Sequence, residues 1–413
     1  MKIGIITDSY YPQLNGVVVS VDNFTRELRK LGHEVYIFAP LLKNYKDKDR
    51  NVFRISNFKV ISSEPEVLVP LPMPRLSYQQ IFNINLDVIH AHGNGAFSFL
   101  GCQIAKLKGI PFILTFHTVH TKYTHYFLNG KVIRPKMVAL GMRMFADICD
   151  GIITPSEKMK NELIAYGVKK EIKIIPSFID FSRFQKNKKG YLHKRFSIPK
   201  TDKILLTVGR LGKEKNFPFL INMFKKLVST KRDTHFVIAG HGGELSNLKR
   251  LTSRLNLSKK IHFTQKVEAE LMQDVYADAD IFIFASQTET QGLCVLEAAA
   301  SGLPIIAVKD SAFDNLVIDG KTGYNVSENQ EIFAQKVQQL LQDDVLRQRF
   351  GRQAREMAGN NFRGEYLTRE LVDYYKKVMN VYKPGGEMLR KINRAALVQL
   401  FRATNAVNKF LNS

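Results

Sequence analysis

Residues 2–21, KIGIITDSYYPQLNGVVVSV, contain the pattern that decides the fold: a short apolar run, a turn, and then a helical pattern. The same succession continues along the chain. It predicts a helix over residues 19–31 and strands over residues 3–7, 34–39, 88–90 and 112–116. Alternation of this kind is typical of βαβ units, in which a parallel sheet is buried on both faces. The first part of the chain is therefore predicted to be a doubly wound α/β domain.

A second series of the same kind begins near Lys203. Its strands ILLTVG, HFVIAG, IFIFAS and PIIAV are accompanied by helical patterns over residues 218–229 and 243–255. Because the two series are separate, the chain is predicted to contain two Rossmann-like domains. Ligands of such sheets bind beyond the carboxyl ends of the strands, so the expected site is the cleft between two facing domains.

The predicted domain boundary lies in residues 181–200, which are polar, basic and short of apolar periodicity. We therefore expect a first domain over residues 1–190 and a second over residues 200–375. Helices over residues 376–413 are expected to join the first domain, and the last of them is basic and amphipathic by pattern.

The composition excludes some classes of protein and leaves two kinds of partner open. The chain has 413 residues, 45% of them hydrophobic and 24% charged, which excludes disordered and fibrous classes. Its 61 Lys and Arg against 38 Asp and Glu give a net charge of +23, which favours a nucleic acid or an anionic membrane surface. Helix-turn-helix, zinc-finger and aromatic RNA-binding motifs are absent, and a nucleic-acid-binding protein stays as the alternative from a different class.

The cysteines and the amino terminus indicate a cellular location. Cys102, Cys149 and Cys294 are widely spaced in apolar runs, which is typical of buried thiols in a reducing compartment. The opening residues do not have the charged and apolar regions of a signal peptide, and the sequence has no apolar run of membrane-spanning length. We expect a cytoplasmic protein whose membrane association is peripheral.

Two loops that follow strands carry residues suited to a phosphorylated ligand. The first, VGRLGKEKN at residues 208–216, places Arg210 and Lys215 where a guanidinium and an ammonium could hold a diphosphate. The second, ETQGLCVLE at residues 289–297, has a glycine before a helix, where amide groups suit a phosphate. The alternative interpretations are a solvated basic loop for the first segment and a solvated helix face for the second.

The first domain contributes two weaker signals. The dipeptide Asn15-Gly16 precedes a helix, where backbone amides can face an anion, although the same dipeptide marks turns in many proteins. His117 ends the strand ILTFH and would open into the cleft, although a lone histidine is more often structural.

Taken together and in this order, these segments resemble the retaining glycosyltransferases of family 4. The similar segments are residues 2–21, 87–93, 115–118, 209–216, 285–306 and 319–326. The resemblance implies the GT-B fold, with two facing Rossmann-like domains, and transfer of a sugar from a nucleotide sugar. The opening is similar to that of the bacterial members that glucosylate diacylglycerol, which implies UDP-glucose as donor and diacylglycerol as acceptor.

The resemblance also implies roles for individual residues. It places the donor site at Gly16, Arg210, Lys215, Glu289, Gly292, Leu293, Cys294 and Glu297. Within that set it implies that Arg210 and Lys215 bind the phosphates and that Glu289 binds the sugar hydroxyls. It implies ribose binding by Glu297 and sugar contact by His117, and it counts His117, Arg210, Lys215 and Glu289 as catalytic. The family often has Phe where this chain has Gln291, which affects the shape of the sugar pocket.

Three further patterns suggest a metal or a dinucleotide, and we set them aside. Asp278 and Asp280 imitate the metal-binding Asp-x-Asp of another glycosyltransferase fold, but they lie between a helix and a buried strand. The histidines of residues 90–125 match no closed tetrahedral zinc spacing. The glycines of AGHGGE, residues 239–244, lack the context of a dinucleotide fingerprint. We expect no metal and no other cofactor.

A basic amphipathic segment is the predicted membrane contact. Residues 88–146 contain seven Lys or Arg and no Asp or Glu. Within them Ile133, Met137, Leu140 and Met144 recur at helical spacing, interspersed with Lys131, Arg134, Lys136 and Arg143. Such a segment suits the interface of an anionic bilayer, and a core-packed helix with a solvated basic edge is the alternative. A second basic region contains Lys169, Lys170, Lys173, Arg183, Lys186, Lys188 and Lys189.

Overall fold

The computed structural model describes residues 1–13, 15–42, 44–61, 67–70, 81–118, 135–185 and 190–384. Contacts divide the chain into two compact units. Unit 1 contains Met1–Pro176 and the chain from Gly364 onward, and unit 2 is Ser177–Arg363. Each unit is built on a parallel sheet, as the alternation of apolar runs and helical patterns predicts.

Unit 1 contains a seven-stranded sheet with the order β3-β2-β1-β6-β7-β8-β9. Its strands are β1 (Lys2–Thr7), β2 (Glu34–Pro40), β3 (Val52–Ile55), β6 (Val88–His92), β7 (Phe112–Thr115), β8 (Gly151–Thr154) and β9 (Ile172–Ile174). Every pairing in this sheet is parallel. The central strands β6, β7 and β8 are buried throughout, which explains their continuous apolar runs. A separate antiparallel pair, β4 (Asn57–Ile61) and β5 (Val67–Pro70), was not expected from the sequence.

The helices of unit 1 follow its strands, and the last one comes from the far end of the chain. They are α1 (Gly16–Lys30), α2 (Ala96–Lys108), α3 (Pro135–Ile148), α4 (Glu157–Ala165) and α13 (Gly364–Val381). Helix α1 begins earlier than the predicted residue 19, because the side chain of Asn15 accepts a hydrogen bond from the Val18 amide and caps the helix. Helix α13 packs on α1.

Unit 2 contains a six-stranded parallel sheet with the order β12-β11-β10-β13-β14-β15. Its strands are β10 (Lys203–Val208), β11 (Thr234–Ala239), β12 (Ile261–Gln265), β13 (Ile281–Phe284), β14 (Ile305–Val308) and β15 (Gly323–Val326). Its helices are α5 (Phe181–Gln185), α6 (Tyr191–Phe196), α7 (Phe217–Val228), α8 (Leu245–Arg254), α9 (Met272–Ala277), α10 (Leu293–Ala300), α11 (Gln330–Gln342) and α12 (Asp344–Asn361). The core packs α7 and α11 against the sheet around Phe224, Phe236 and Phe333.

The first unit boundary, after Pro176, lies before the predicted residues 181–200, and the second, before Gly364, lies before the predicted residue 376. The described part of the polar stretch after residue 176 packs on unit 2, where the ring of Phe184 in α5 meets Tyr276 at 5.8 Å between centroids. At the second boundary, the hydroxyl of Tyr374 in α13 hydrogen-bonds both backbone groups of Ile152 in β8. These contacts are side-chain packing over long sequence separations, which composition alone does not reveal.

Candidate active site

The loop after β10 holds Arg210 beside a buried carboxylate. A guanidinium nitrogen of Arg210 donates to Glu214 at 2.7 Å, and the Glu214 side chain is only 2% exposed. A Cβ atom at Gly212 would overlap the Glu214 carboxylate, so any larger residue there would displace the end of this side chain. Glu214 escaped the sequence analysis, because a glutamate between two lysines gives no sign of burial. The pair orients Arg210 within the loop.

Lys215 and Glu289 come together from separate loops. Lys215 ends a short 3-10 turn, Lys213–Lys215, and Glu289 lies in the loop after β13. The Lys215 ammonium donates to the Glu289 carboxylate, and both side chains are mostly buried. The resemblance assigns these residues to phosphate and to sugar, and the structure brings the two side chains into direct contact. An anionic ligand at this point would meet a cation whose position is already fixed.

The glycines that follow β11 let two loops approach closely. Gly240 and Gly242 have φ values of 145° and 155°, and a Cβ on either would overlap the backbone of Gly209 or Leu211. The Leu211 amide also donates to the His241 carbonyl at 2.8 Å. The glycine pattern that superficially suggested a dinucleotide therefore shapes the loop that carries Arg210.

Helix α10 begins in the left-handed region. Gly292 has φ 73° and lies immediately before Leu293, the first residue of the helix. The Val295 and Leu296 amides donate to the Gly292 carbonyl, whereas helix geometry gives the amides of Leu293 and Cys294 no carbonyl partner within the helix. These two amides and the positive end of the helix dipole are suited to a phosphate oxygen.

Glu297 is held by a tyrosine that the sequence analysis missed. The hydroxyl of Tyr276 in α9 donates to Glu297 Oε2 at 2.7 Å, and the Tyr276 side chain is fully buried. Burial raises the pKa of Glu297, while the hydrogen bond from Tyr276 and the charge of Arg183 act in the opposite direction. A carboxylate fixed in this way can accept hydrogen bonds from ligand hydroxyl groups.

Gln291 has a structural partner of its own. Its side-chain amide accepts from the Ser177 amide at 2.9 Å and donates to the Ser177 carbonyl at 2.6 Å. Both groups are buried, so the pair satisfies the backbone of the first residue of unit 2. This contact explains how an amide occupies a position where the family often has Phe.

Asp278 and Asp280 hold backbone amides in unit 2. Asp278 accepts from the amides of Gly190 and Leu192 and thereby caps α6. Asp280 accepts from the Ile204 amide at 2.9 Å and lies 3.7 Å from Arg347. Within the described ranges, no group of three or more His, Cys, Asp or Glu is placed to hold a metal ion.

Gly16 lies at the exposed start of α1 in unit 1. The preceding Asn15 donates to Ser9 Oγ at 3.0 Å, which ties the helix start to the loop after β1. In the same loop the carboxylate of Asp8 accepts from the amides of Gly95 and Phe97 at the start of α2, and burial raises its pKa. Asp8 belongs to the quoted opening but was not singled out, because its partners are far away in the sequence.

His117 is part of a histidine cluster in unit 1. It follows β7, and its Nε2 atom lies 3.0 Å from Nδ1 of His92. The rings of His92 and His90 are 4.2 Å apart. Burial lowers the pKa of His117 to about 4 and that of His90 to about 3, so both rings are neutral at physiological pH.

Helix α3 has one packed side and one exposed apolar side. Ala146 is buried, and Met142, Phe145 and Ile148 pack against the core. On the other side Met137, Leu140 and Met144 are 61%, 55% and 61% exposed. Lys136 and Arg143 are exposed too, whereas Lys131, Ile133 and Arg134 lie outside the described residues. One side of the helix is thus packed on the core, and the other side leaves apolar side chains exposed, where membrane contact stays a prediction. No helix in the part of the chain that the structure describes is long and apolar enough to span a bilayer.

Three residues of the second basic region contact other groups of the unit to which each belongs. Lys170 donates to the carbonyls of Asp147 and Cys149 at 2.6 Å and so caps the end of α3. Lys173 pairs with Glu370 of α13 at 3.3 Å. Arg183 donates to the Ala269 carbonyl in unit 2. Lys186, Lys188 and Lys189 lie outside the described residues. Lys170, Lys173 and Arg183 are therefore less available to a partner than their charge suggests, whereas Lys169 is exposed.

Solved structures that are similar to this chain have the GT-B fold. Anabaena Alr3699/HepE in complex with UDP and glucose gives a TM-score of 0.72 at 16% identity and covers 91% of this chain and 100% of that one. Sucrose-phosphate synthase from Thermosynechococcus elongatus gives 0.75 at 18% identity, covering 92% and 99%. Together with the two parallel-sheet units, this likeness shows the GT-B fold.

Sequence comparisons give the family. The model "Glycosyl transferases group 1" matches residues 189–357, and "Glycosyltransferase Family 4" matches residues 14–183. Alpha-monoglucosyldiacylglycerol synthase from Streptococcus pneumoniae is 33% identical over 336 residues, 78% of this chain and 74% of its own length. The enzyme of that name from Acholeplasma laidlawii is 31% identical over 347 residues, 80% and 86% of the two chains. The chain belongs to glycosyltransferase family 4.

Proposed function

We propose that the protein is a retaining glucosyltransferase that moves glucose from UDP-glucose to the 3-hydroxyl of 1,2-diacylglycerol, forming alpha-monoglucosyldiacylglycerol at the cytoplasmic face of a membrane. The observation that carries the proposal is the 33% identity to a synthase of that product. The contact of Lys215 with Glu289 supports the proposal. This contact places a cation beside a carboxylate that can accept hydrogen bonds from sugar hydroxyls.

In the proposed reaction the acceptor oxygen bonds to the anomeric carbon on the face that the phosphate leaves. The bond between that carbon and the phosphate oxygen breaks, and this oxygen takes the acceptor's proton, so no protein nucleophile takes part. Arg210, Lys215 and the first amides of α10 stabilise the diphosphate as its negative charge grows. Because these groups supply positive charge, we propose that no metal ion is required.

The remaining site residues position the donor in this proposal. Glu289 binds the glucose hydroxyls, and Glu297, oriented by Tyr276, binds the ribose. His117 contacts the transferred sugar, and the loop at Gly16 lies against the diphosphate. A hydrogen bond to a hydroxyl needs a fixed acceptor or donor, which buried and already bonded side chains provide.

The membrane part of the proposal rests on α3. Its exposed apolar side, Met137, Leu140 and Met144, suits the boundary between headgroups and acyl chains. Lys136 and Arg143 lie on the same helix, and each Lys or Arg near an anionic surface contributes about 1 kcal/mol. Since diacylglycerol stays in the bilayer, an enzyme that uses it must bind there.

The test uses the full chain, radiolabelled UDP-glucose and phosphatidylglycerol vesicles that contain diacylglycerol. We expect a labelled glycolipid whose anomeric proton coupling identifies an α-linkage. Lys215→Ala should form this glycolipid far more slowly, whereas Lys213→Ala, an exposed neighbour in the same turn, should keep the activity. Label in a different lipid or in a soluble sugar would show that the acceptor is not diacylglycerol. Absence of transfer to any acceptor, together with tight binding of nucleic acid, would favour the alternative of a nucleic-acid-binding protein.

A further inference from the structure

Four polar side chains of unit 1 lie on one face of its sheet at the ends of two neighbouring strands. His90 and His92 are two residues apart in β6, so their side chains point to the same face. His92 is the register partner of Thr115 in the parallel strand β7, and His117 follows Thr115 by two residues. The sequence signal is therefore a pair of alternating patterns, HAH and TFH, at adjacent strand ends.

His90 is fixed at both ring nitrogens. Its Nε2 atom lies 2.7 Å from the Thr115 hydroxyl, and its Nδ1 atom lies 2.6 Å from the hydroxyl of Tyr375 in α13. A hydroxyl group can donate or accept, so both contacts are satisfied with either tautomer of His90. The ring of His90, held at both nitrogens, packs beside the ring of His92 with 4.2 Å between their centroids.

His92 reaches His117 on its other side. The two rings are stacked at 20° with centroids 5.2 Å apart, and Nδ1 of His92 lies 3.0 Å from Nε2 of His117. Burial lowers the pKa of both imidazoles, so each carries one ring proton at neutral pH. The hydrogen bond between the two nitrogens contains one proton. The ring to which this proton is covalently bonded determines the tautomers of both rings.

The buried Nε2 atom of His92 decides which ring donates. This atom has no hydrogen-bond partner among the described residues. If His92 accepted at Nδ1, its own proton would be on Nε2 as a buried N–H without a partner, an arrangement that proteins rarely contain. Donation from Nδ1 instead leaves only a lone pair on Nε2.

We propose that His92 is a positioning residue that donates from Nδ1 to Nε2 of His117, fixing the His117 ring and keeping its proton on Nδ1. The hydrogen bond is independent of the enzyme's substrate. Its consequence for catalysis rests on the proposed function, in which His117 contacts the transferred sugar. A ring with one tautomer keeps its hydrogen-bond donor and acceptor atoms in a constant arrangement for that contact.

The test compares three substitutions of His92. His92→Asn keeps an amide N–H close to the position of Nδ1, His92→Gln moves the amide towards the position of Nε2, and His92→Phe removes the donor while keeping a ring. Tyr375→Phe is the control for packing, because it alters the same buried neighbourhood without touching the bond between His92 and His117. Circular dichroism and thermal unfolding establish that each variant is folded.

The first measurement is independent of activity. Long-range proton–nitrogen NMR correlations on histidine-labelled full-length protein report the tautomer of each ring, and His117→Asn identifies its signals. We expect the Nδ1–H tautomer of His117 in the wild type, His92→Asn and Tyr375→Phe, and a mixture in His92→Phe. A wild-type His117 with its proton on Nε2 would overturn the proposal, whether or not the enzyme transfers glucose.

The second measurement is glucosyl transfer. We expect His92→Phe and His92→Gln to lower kcat by roughly 10- to 100-fold, by analogy with partners that orient metal-binding histidines, with KM for UDP-glucose changed much less. His92→Asn should recover most of kcat. Equal losses of kcat in all three His92 variants and in Tyr375→Phe would show that His92 contributes only to packing. If the wild type transferred no glucose while NMR showed the expected tautomer, the proposed function would fail and the hydrogen bond would stand.

Discussion

The ammonium of Lys215 contacts the carboxylate of Glu289, and this ion pair joins the loop after β10 to the loop after β13. The exposed fractions of the two side chains are 16% and 13%, so water screens the pair only partly. Each partner therefore holds the other in place. Removal of one partner takes this ion pair away from a largely buried charge.

Removal of Lys215 should affect turnover and stability separately. We expect Lys215→Ala to lower kcat by roughly 10²–10³-fold, as for other fixed groups that stabilise developing negative charge. The same change should lower the free energy of unfolding, because the largely buried Glu289 carboxylate loses its ion pair with Lys215. Lys215→Met combined with Glu289→Gln should regain stability without activity. Urea unfolding and initial rates measure the two effects, and a stable, active Lys215→Ala protein would contradict the assignment.

Asp278 should contribute to folding stability and should not bind a catalytic metal ion. Asp278→Ala leaves the buried Leu192 amide without its acceptor, a loss of about 1–3 kcal/mol in the free energy of unfolding. Activity of the wild type should persist in excess EDTA. Asp278→Asn, whose amide oxygen can still accept one bond, should be less destabilised. Activity abolished by EDTA and restored by manganese would require a metal site and overturn this prediction.

Folding stability should decrease as the pH falls from about 6.5 to about 4, in part because of His235 and His262. Their rings are hydrogen-bonded at 2.8 Å, and Asp202 and Lys260 both lie 3.1 Å from Nε2 of His235. Burial lowers the pKa of His262 to about 4 and lowers that of His235 as well. Between these pH values the unfolded chain binds protons that the folded chain does not, so the free energy of unfolding rises with pH.

The check is urea unfolding of the wild type and His262→Gln at neutral pH and at about pH 5, a range in which this linkage operates. The variant should lose less stability on acidification. It should keep some dependence, because His90, His92 and His117 also have lowered pKa values. Identical pH dependence in the two proteins would show that His262 is protonated equally in the folded and unfolded chains.

The sequence predicts the fold well because period and turn chemistry are local. The run at residues 3–7 and the Asn15 cap contain the information that forms β1 and α1. Contacts between residues that are far apart in the sequence do not follow from local patterns. The contact of Gln291 with Ser177 and that of Tyr276 with Glu297 depend on how α10 packs, and neither residue type indicates its partner. His92 is intermediate, since its alternation with His90 was visible while its bond to His117 required the register of β6 and β7.

Membrane binding should depend on α3 through both charge and apolar area. Lys136→Glu with Arg143→Glu should weaken binding to phosphatidylglycerol vesicles, and salt should weaken wild-type binding, because screening shortens the reach of exposed charges. Lys225→Glu with Lys249→Glu, two exposed lysines of unit 2, makes the same change in net charge elsewhere and should have little effect. Vesicle sedimentation measures both.

Met137→Ser with Met144→Ser removes apolar area from the exposed side of α3 without a change in charge. We expect this variant to bind vesicles more weakly at high salt, where charge contributes least, and to keep the wild-type thermal unfolding temperature, because both side chains are 61% exposed. Its activity should fall on diacylglycerol in vesicles much more than on a short-chain soluble diacylglycerol. A fall of equal size on both acceptors would mean that α3 supports the fold of unit 1, and unchanged sedimentation would mean that the bilayer contacts another surface.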